Sequence, residues 1–152
     1  MTDFKIRPMR AADMKTVTRM IRELTVFFGD KSQIKERDLR LHVLGKDKPN
    51  HILLVWHKDK PAGFCLSSDW FNFTRGFTVR NIHLLFIQEK YRRQGLGTAL
   101  IKASAQAARK AGCHRVDIQA ARQNKAAHKA YKALGFTVRS DHPVHYRMPL
   151  KK

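Results

Sequence analysis

The feature that most constrains this chain is a short, basic, glycine-bearing turn between an apolar strand and an alanine-rich helix. Leu85-Phe86-Ile87 closes the strand, Tyr91-Arg92-Arg93-Gln94-Gly95-Leu96-Gly97-Thr98 makes the turn, and the pattern predicts a helix over Thr98 to Ala111 with Gly112 as its C-cap. Glycine lets backbone approach a ligand with no Cβ in the way, and the N–H groups of a first helical turn have no partner inside the helix. The helix dipole adds partial positive charge there and the arginines add whole charges. Such a turn suits an anion.

What is missing narrows the anion. A Walker loop would place Lys and then Ser or Thr after the second glycine, where Thr98-Ala99 stand, and a dinucleotide fingerprint would need Gly or Ala where Leu100 stands. Neither nucleotide motif fits. By itself the segment also reads as an ordinary strand-to-helix turn.

The flanking sequence predicts a mixed α/β domain. Phe4 to Arg7 alternates and is stopped by Pro8, a short first strand. Asp13 is placed to cap a helix whose apolar face is Met14, Val17, Met20, Ile21, Leu24 and Phe28, ended by Gly29. Arg37 to Leu44 is a shorter helix, and His51 to His57 is a strand. Gly63 to Phe73 and Phe77 to Ile87 form a meander around Thr74-Arg75-Gly76. After the glycine turn and its helix come a strand at Arg115 to Ala120 and a helix from Lys125 to Leu134 closed by Gly135. Final strands are expected at Phe136 to Arg139 and Val144 to Met148. Strands, helices, meander and one strand-helix-strand unit imply a single α/β domain over 1–152.

Composition removes several function classes. No apolar run approaches the roughly 20 residues that cross a bilayer, so membrane insertion is not expected. The first ten residues alternate charged and apolar positions without a secretory core, and two widely separated cysteines, Cys65 and Cys113, read as buried structural thiols. A cytoplasmic location is the expectation. No His or Cys spacing marks a metal site. The excess of 31 Lys plus Arg over 12 Asp plus Glu, a formal +19, favours anionic partners. Those cations are spread along the chain with no nucleic-acid-binding motif, so sequence-directed nucleic-acid binding is not expected.

Two motifs carry a resemblance. Arg92-x-x-Gly95-x-Gly97 after an apolar strand resembles the acetyl-CoA signature of the GNAT acetyltransferase superfamily: Gln or Arg, two residues, Gly, one residue, then Gly or Ala. Asn124-x-x-Ala127-x-x-x-Tyr131-x-x-Leu134-Gly135-Phe136 is similar to that family's C-terminal block. The opening Ile6-Arg7-Pro8 and the helix after it also look like the family's start, so the resemblance spans nearly the whole chain. It implies a mixed, mostly antiparallel sheet flanked by helices. It also implies transfer of the acetyl group of acetyl-CoA to a primary amine by direct attack in a ternary complex, with no metal. Backbone groups of Leu85, Phe86 and Ile87 would meet the pantetheine arm. The turn of Arg92, Arg93, Gln94, Gly95, Leu96, Gly97 and Thr98 would hold the pyrophosphate, and Asn124 would lie near the thiol end. Read from the residues alone, Asn124 is equally an N-cap.

Tyr131 would face the sulfur. A phenol with a reference pKa of roughly 10 can protonate a thiolate whose thiol has roughly 8.5, although Tyr131 also reads as a core aromatic of its helix. The oxyanion would be held by a backbone N–H near Phe86 or Ile87. An alkyl amine, with a pKa of roughly 10.4, needs a base, and His83 on the strand entering the motif is the candidate, with Asp69 and Glu89 weaker ones. Phe28, Asp30, Trp70 and His83 are placed to shape the acceptor pocket.

Within the family the chain most resembles the diamine (spermidine/spermine) N-acetyltransferase group, in Gly63-Phe64 and Tyr91-Arg92. That group's adjacent Glu-Asp pair is replaced here by His83 and Leu84, which argues against a polyamine acceptor. A small-molecule amine, a protein amine, and a non-catalytic CoA-binding or nucleic-acid-associated role are the readings the sequence leaves, with a homodimer expected from the resemblance.

Overall fold

A computed structural model describes residues 3–139 and 143–151. They fall into two compact units, Met1–Gln119 and Ala120–Lys152, taken here in turn.

The first unit is a five-stranded sheet in the order β1-β2-β3-β4-β5, formed by β1 Phe4–Pro8, β2 Asn50–His57, β3 Lys60–Asn72, β4 Phe77–Ile87 and β5 Arg115–Ile118. The first four strands pair antiparallel and β5 joins β4 in parallel. That parallel pair needs a crossover, which the alanine-rich helix α3, Leu96–Lys110, supplies. Helices α1, Met14–Phe27, and α2, Glu36–His42, precede β2.

Alternation along the strands gives the sheet two apolar faces. One carries Ile52, Leu54, Phe64 and Phe86 against Met14, Val17, Met20, Ile21 and Leu24 of α1 and Leu39 of α2. Burying side chains of this kind stabilises the fold by about 1.5–3 kcal/mol each. The predicted α1 face is therefore right up to Leu24, but Phe28 lies beyond the helix and is 66% exposed, with Val26 and Phe27. On α3, Leu100, Ile101, Ser104 and Ala108 are the buried positions.

Asp13 does not cap α1 with its side chain. Its carboxylate accepts from the Arg10 N–H at 2.8 Å, at the start of a single 3-10 turn that precedes the helix, and from the Arg7 guanidinium at 2.6 and 3.1 Å. The Arg7 hydrogen bond, against a smaller burial effect, holds Asp13 below the usual carboxylate range. The cap expected from the sequence thus acts one turn earlier and also fixes the chain leaving β1.

In the second unit α4 spans Lys125–Ala133 and Asn124 is its N-cap, accepting from the Ala127 N–H at 3.1 Å. The helix stops in a Schellman motif: Phe136 N–H donates to Tyr131 O at 3.0 Å and Gly135 N–H to Lys132 O at 3.1 Å, with the Tyr131 and Phe136 rings 5.9 Å apart. Half of the downstream sequence motif, Tyr131 to Phe136, is therefore a helix stop. The expected strands at Phe136 to Arg139 and Val144 to Met148 do not form among the described residues. Alternating apolar residues fit a strand only when a neighbouring edge completes the ladder, and Val144, Tyr146 and Met148 are instead exposed.

Candidate active site

The predicted turn, Tyr91 to Thr98, begins shortly after β4 ends at Ile87. A 3-10 turn at Glu89–Tyr91 buries Tyr91 against the His57 ring, centroids 5.4 Å apart, and sets the direction of the chain that follows. Arg93 has φ 60° and Gly95 φ 78°, both left-handed. Such a conformation costs an L-residue about 1–2 kcal/mol, so Arg93 is held there by its surroundings. Left-handed residues thus stand on either side of Gln94, immediately before the helix.

The helix then starts at Leu96, two residues before the expected Thr98, with Gly95 as its N-cap. Its first four-residue hydrogen bond is Ala99 N–H to Gly95 O at 3.0 Å, so the N–H groups of Leu96, Gly97 and Thr98 have no helical acceptor, and glycine brings no side chain to cap them. A Cβ on Gly97 would meet only Leu85 Cδ2, at 3.7 Å. Packing alone therefore does not demand glycine at that position.

The two arginines of the turn divide their work. Arg92 Nε donates to the Ile87 carbonyl at 2.8 Å, and its guanidinium lies 5.8 Å from the Phe27 ring centroid, closing the turn onto β4 and the end of α1. Arg93 is exposed and makes no side-chain hydrogen bond or ion pair among the described residues.

Beside the turn, β4 presents an open edge. Its pairing with β5 ends at Ile82 with Ile118, and no other described strand of this unit continues along that side. Gln88 N–H donates to Ala62 O at 2.9 Å, and antiparallel alternation from that bond turns the backbone groups of Phe86 towards β3 and those of Leu85 and Ile87 outwards. With Ile87 O taken by Arg92, the edge offers the N–H of Leu85, the carbonyl of Leu85 and the N–H of Ile87. Of the three backbone positions expected to meet a ligand, Phe86 is turned the wrong way.

His83 marks the start of the open stretch. Leu66 pairs with Leu84 but Ser67 with Ile82, so His83 is the extra residue of a bulge, and it is exposed. Its Nε2 lies 2.5 Å from Ser68 Oγ, and its Nδ1 3.5 Å from the Asn81 amide. Ser68 is a residue the sequence reading missed: it lies fifteen residues from His83, and only the β3–β4 register brings them together.

The other predicted base candidates fare differently. Asp69 takes both nitrogens of the Arg80 fork, at 2.7 and 2.8 Å, and His51 Nε2 at 3.0 Å. Burial pushes its carboxyl up, but the Arg80 hydrogen bond and charge, helped by His51, outweigh this and hold it below the usual carboxylate range. A carboxylate so engaged is a poor proton acceptor. Glu89 is exposed on the 3-10 turn. Cys65 is free and buried, with its thiol pushed up to about 12, mainly by burial, which removes it as a nucleophile. Cys113 is also free, but only half-buried.

The predicted acceptor residues come from the end of α1, from β3 and from β4. Phe28 meets Phe27 edge-on at 6.1 Å, and Asp30 accepts from the Lys31 N–H at 2.7 Å, so both are organised around the end of α1. Trp70 lies two positions beyond Ser68 on the same face of β3 and is 46% exposed. A cavity of about 570 Å³ lies elsewhere, walled by Lys15, Arg19 and Arg22 of α1 and by Lys35, and includes none of these residues. Among the described residues no cluster of side chains could hold a metal, and no helix is long and apolar enough to cross a membrane.

Residues 17–136 match the acetyltransferase (GNAT) family. The chain belongs to the GNAT acetyltransferase family. It is 31% identical over 144 residues to thialysine N-epsilon-acetyltransferase of Sus scrofa, covering 89% of this chain and 85% of that protein. The Mus musculus enzyme of the same name is 31% identical over 147 residues, with the same coverage. These relatives place this GNAT protein near the diamine-acetyltransferase-like group. The fold is shared with an aminoglycoside acetyltransferase from an uncultured soil metagenomic sample, solved with sisomicin, at TM-score 0.81 and 21% identity, over 98% of this chain and 97% of that one. A ribosomal-protein-alanine N-acetyltransferase from Brucella melitensis has the same fold at TM-score 0.77 and 15% identity, over 96% and 99%. The GNAT chain is thus an acetyltransferase with a mixed, mostly antiparallel sheet flanked by helices.

Proposed function

We propose that the protein transfers the acetyl group of acetyl-CoA to the primary amine of a small molecule, by direct attack in a ternary complex. The observation that carries this reading is the left-handed turn at Arg93 to Gly95, continued by the N–H groups of Leu96, Gly97 and Thr98 that have no helical acceptor, beside the open edge of β4. A pyrophosphate fits the first and an extended chain of amides fits the second. Arg93 adds a charge to the phosphates and Arg92 holds the turn in shape. The N–H of Leu85 or Ile87 is available to steady the oxyanion.

The acceptor loses a proton in the region of His83, attacks the thioester carbonyl, and the departing sulfur takes a proton from Tyr131, whose ordinary pKa of roughly 10 exceeds that of a thiol at roughly 8.5. Asn124 serves the cofactor's thiol end as well as capping α4. Phe28, Asp30 and Trp70 are the acceptor-pocket residues of this reading. The relatives named for thialysine and for aminoglycosides support an amine-bearing small molecule as acceptor. Loss of the acidic pair at His83 and Leu84, in a chain of formal charge +19, argues against a polyamine. The cytoplasm is the compartment and a homodimer the assembly, the latter testable by light scattering.

The test is CoA thiol release from acetyl-CoA by the purified protein across a panel of amines that includes thialysine and aminoglycosides. Release well above hydrolysis with at least one amine is expected, and Tyr131→Phe is expected to lower kcat about tenfold or more. CoA binding without acceleration by any amine would refute the enzymatic reading, and an unchanged kcat in Tyr131→Phe would remove Tyr131 as the acid.

A further inference from the structure

The cluster at the β4 bulge engages one His83 ring nitrogen closely and the other only weakly. Nε2 is engaged by Ser68 Oγ at 2.5 Å and Nδ1 faces the Asn81 amide at 3.5 Å, a loose contact. The His83 Nε2 is reached through the Ser68 hydroxyl. The group in the cluster with capacity to spare is the Ser68 hydroxyl, which has one donor and two acceptor positions and gives only one of them to His83. Ser68 shares its face of β3 with exposed Trp70 and pairs with Asn81, one register step from where β5 leaves β4 at Ile82.

We propose that Ser68 is a catalytic proton relay, standing between the acceptor amine and His83, with Asn81 fixing the ring behind it. The proposal rests on the acetyl-transfer reading and names the atom that receives the first proton. An N–H bond of the acceptor ammonium breaks and its proton passes to Ser68 Oγ, while the Ser68 hydroxyl proton passes to His83 Nε2. The nitrogen keeps the electron pair and uses it to form the C–N bond to the acetyl carbon. The C–S bond breaks with its electrons on sulfur, and the sulfur takes up a proton. The second proton shed by the nitrogen balances that one, and His83 returns the relayed proton to solvent. The relay requires Nε2 to be unprotonated and Nδ1–H to donate to the Asn81 amide oxygen, an orientation reached by turning the amide, whose oxygen and nitrogen are assigned from the network alone.

The arrangement has the order of a serine–histidine–amide triad, yet here the hydroxyl carries a proton and forms no ester. Position favours this role over nucleophilic attack, because the free N–H groups suited to an oxyanion belong to Leu85 and Ile87, further along β4 than the bulge.

Ser68→Ala, Ser68→Thr, His83→Ala and the Ser68→Ala/His83→Ala double variant test it, with turnover of the best amine found for the wild type and acetyl-CoA affinity by calorimetry. Ser68→Ala is expected to lower kcat ten- to a hundredfold with acetyl-CoA affinity unchanged, Ser68→Thr to restore most of it, and the double variant to be no slower than His83→Ala. The wild type should show a curved proton inventory in mixed H2O and D2O, from two protons in flight, and Ser68→Ala a linear one. Full kcat in Ser68→Ala, additive losses in the double variant, or an acetyl ester on Ser68 in quenched enzyme would each overturn the relay while leaving acetyl transfer intact. Absence of any amine turnover by wild type that binds acetyl-CoA would instead overturn both.

Discussion

Two histidine-centred clusters lie on the central strands, and they are built from opposite materials. His51, Asp69 and Arg80 join β2, β3 and β4 around a charged pair: Arg80 is 3% exposed, and each Asp69 oxygen meets a nitrogen of its guanidinium. Ser68, His83 and Asn81 join β3 and β4 with neutral groups around an exposed ring. Asp69 and Ser68 are adjacent in sequence, so alternation sends them to opposite faces of β3. A buried charge must be fully answered by its neighbours, and once answered it has no capacity left for a ligand. The exposed cluster tolerates a loose contact and an unfilled hydroxyl because water covers what the protein does not. The first cluster therefore stabilises the sheet, and the second keeps groups available for chemistry.

The strongest way to break this contrast is to remove Arg80. Arg80→Leu strands Asp69 without its guanidinium partner, with His51 and the Cys113 thiol left beside it, and loss of one partner of a buried pair costs about 3–5 kcal/mol. For a chain of this size that corresponds to a fall in Tm of about 6–20 °C by calorimetry. A change of a degree or two would mean that the pair is not the strut described here. Replacing Asp69 by Leu in the same protein should recover part of the loss, since no orphaned carboxylate remains.

Acid offers a gentler probe of the same strut. Asp69 and Asp13 both have folded-state pKa values below the ordinary range: for Asp69 burial opposes the shift and Arg80 with His51 overcome it, and for Asp13 the Arg7 hydrogen bond leads. A depressed carboxyl contributes stability above its unfolded pKa of about 3.9 and loses it as pH falls through that value towards the folded one. Urea melts should therefore show stability declining as pH drops below about 4. Asp69→Asn, less stable at pH 7, should decline less steeply. Parallel curves for the two proteins would contradict the assignment.

The exposed cluster should respond in the opposite currency. His83→Ala is expected to lower kcat/KM about a hundredfold, the lower end of what general acid–base groups contribute, while its stability stays within about 0.5 kcal/mol of wild type. A large drop in Tm with little change in turnover would reverse the roles given to the two clusters.

The sequence exposed one of these clusters only in part and mistook a member of the other. Glycines, arginines and an apolar strand declare an anion-binding turn because the signal is local. The left-handed Arg93 is not legible, since arginine has no preference for that conformation and is held in it by the turn around it. The helix start moved to Leu96 because Gly95 itself takes the left-handed N-cap position. Asn124 was readable as a cap because capping is also local, whereas Asp13 was readable as acidic helix-start chemistry but not as the partner of Arg7 across the chain reversal. Asp69 looked like a candidate base until the register placed Arg80 opposite it. Ser68 gave no signal at all: its meaning depends on a bulge that displaces the pairing by one residue, and nothing in the residues around His83 announces that bulge. The final strands failed for the same reason as Asp69, in that alternation reports a pattern and a ladder requires a partner.

The smallest expected effect sharpens the comparison most, because it concerns the histidine on the wrong side of it. His51 touches Asp69 at 3.0 Å, as His83 touches Ser68, and by contact geometry alone the two rings look alike. Arg80, however, already supplies a hydrogen bond to each Asp69 oxygen, and the His51 side chain is 38% exposed, so its own contribution is screened by solvent. His51→Ala should therefore cost no more than about 1 kcal/mol and leave kcat and KM at wild-type values. In an Arg80→Leu background the same substitution should cost more, since the guanidinium that makes the His51 contact redundant would be gone. Additivity in that double-mutant cycle would show that the three residues do not act as a unit. A loss of turnover in His51→Ala alone would mean that the buried face of β3 reaches the chemistry, and that the division of labour between the two clusters is wrong.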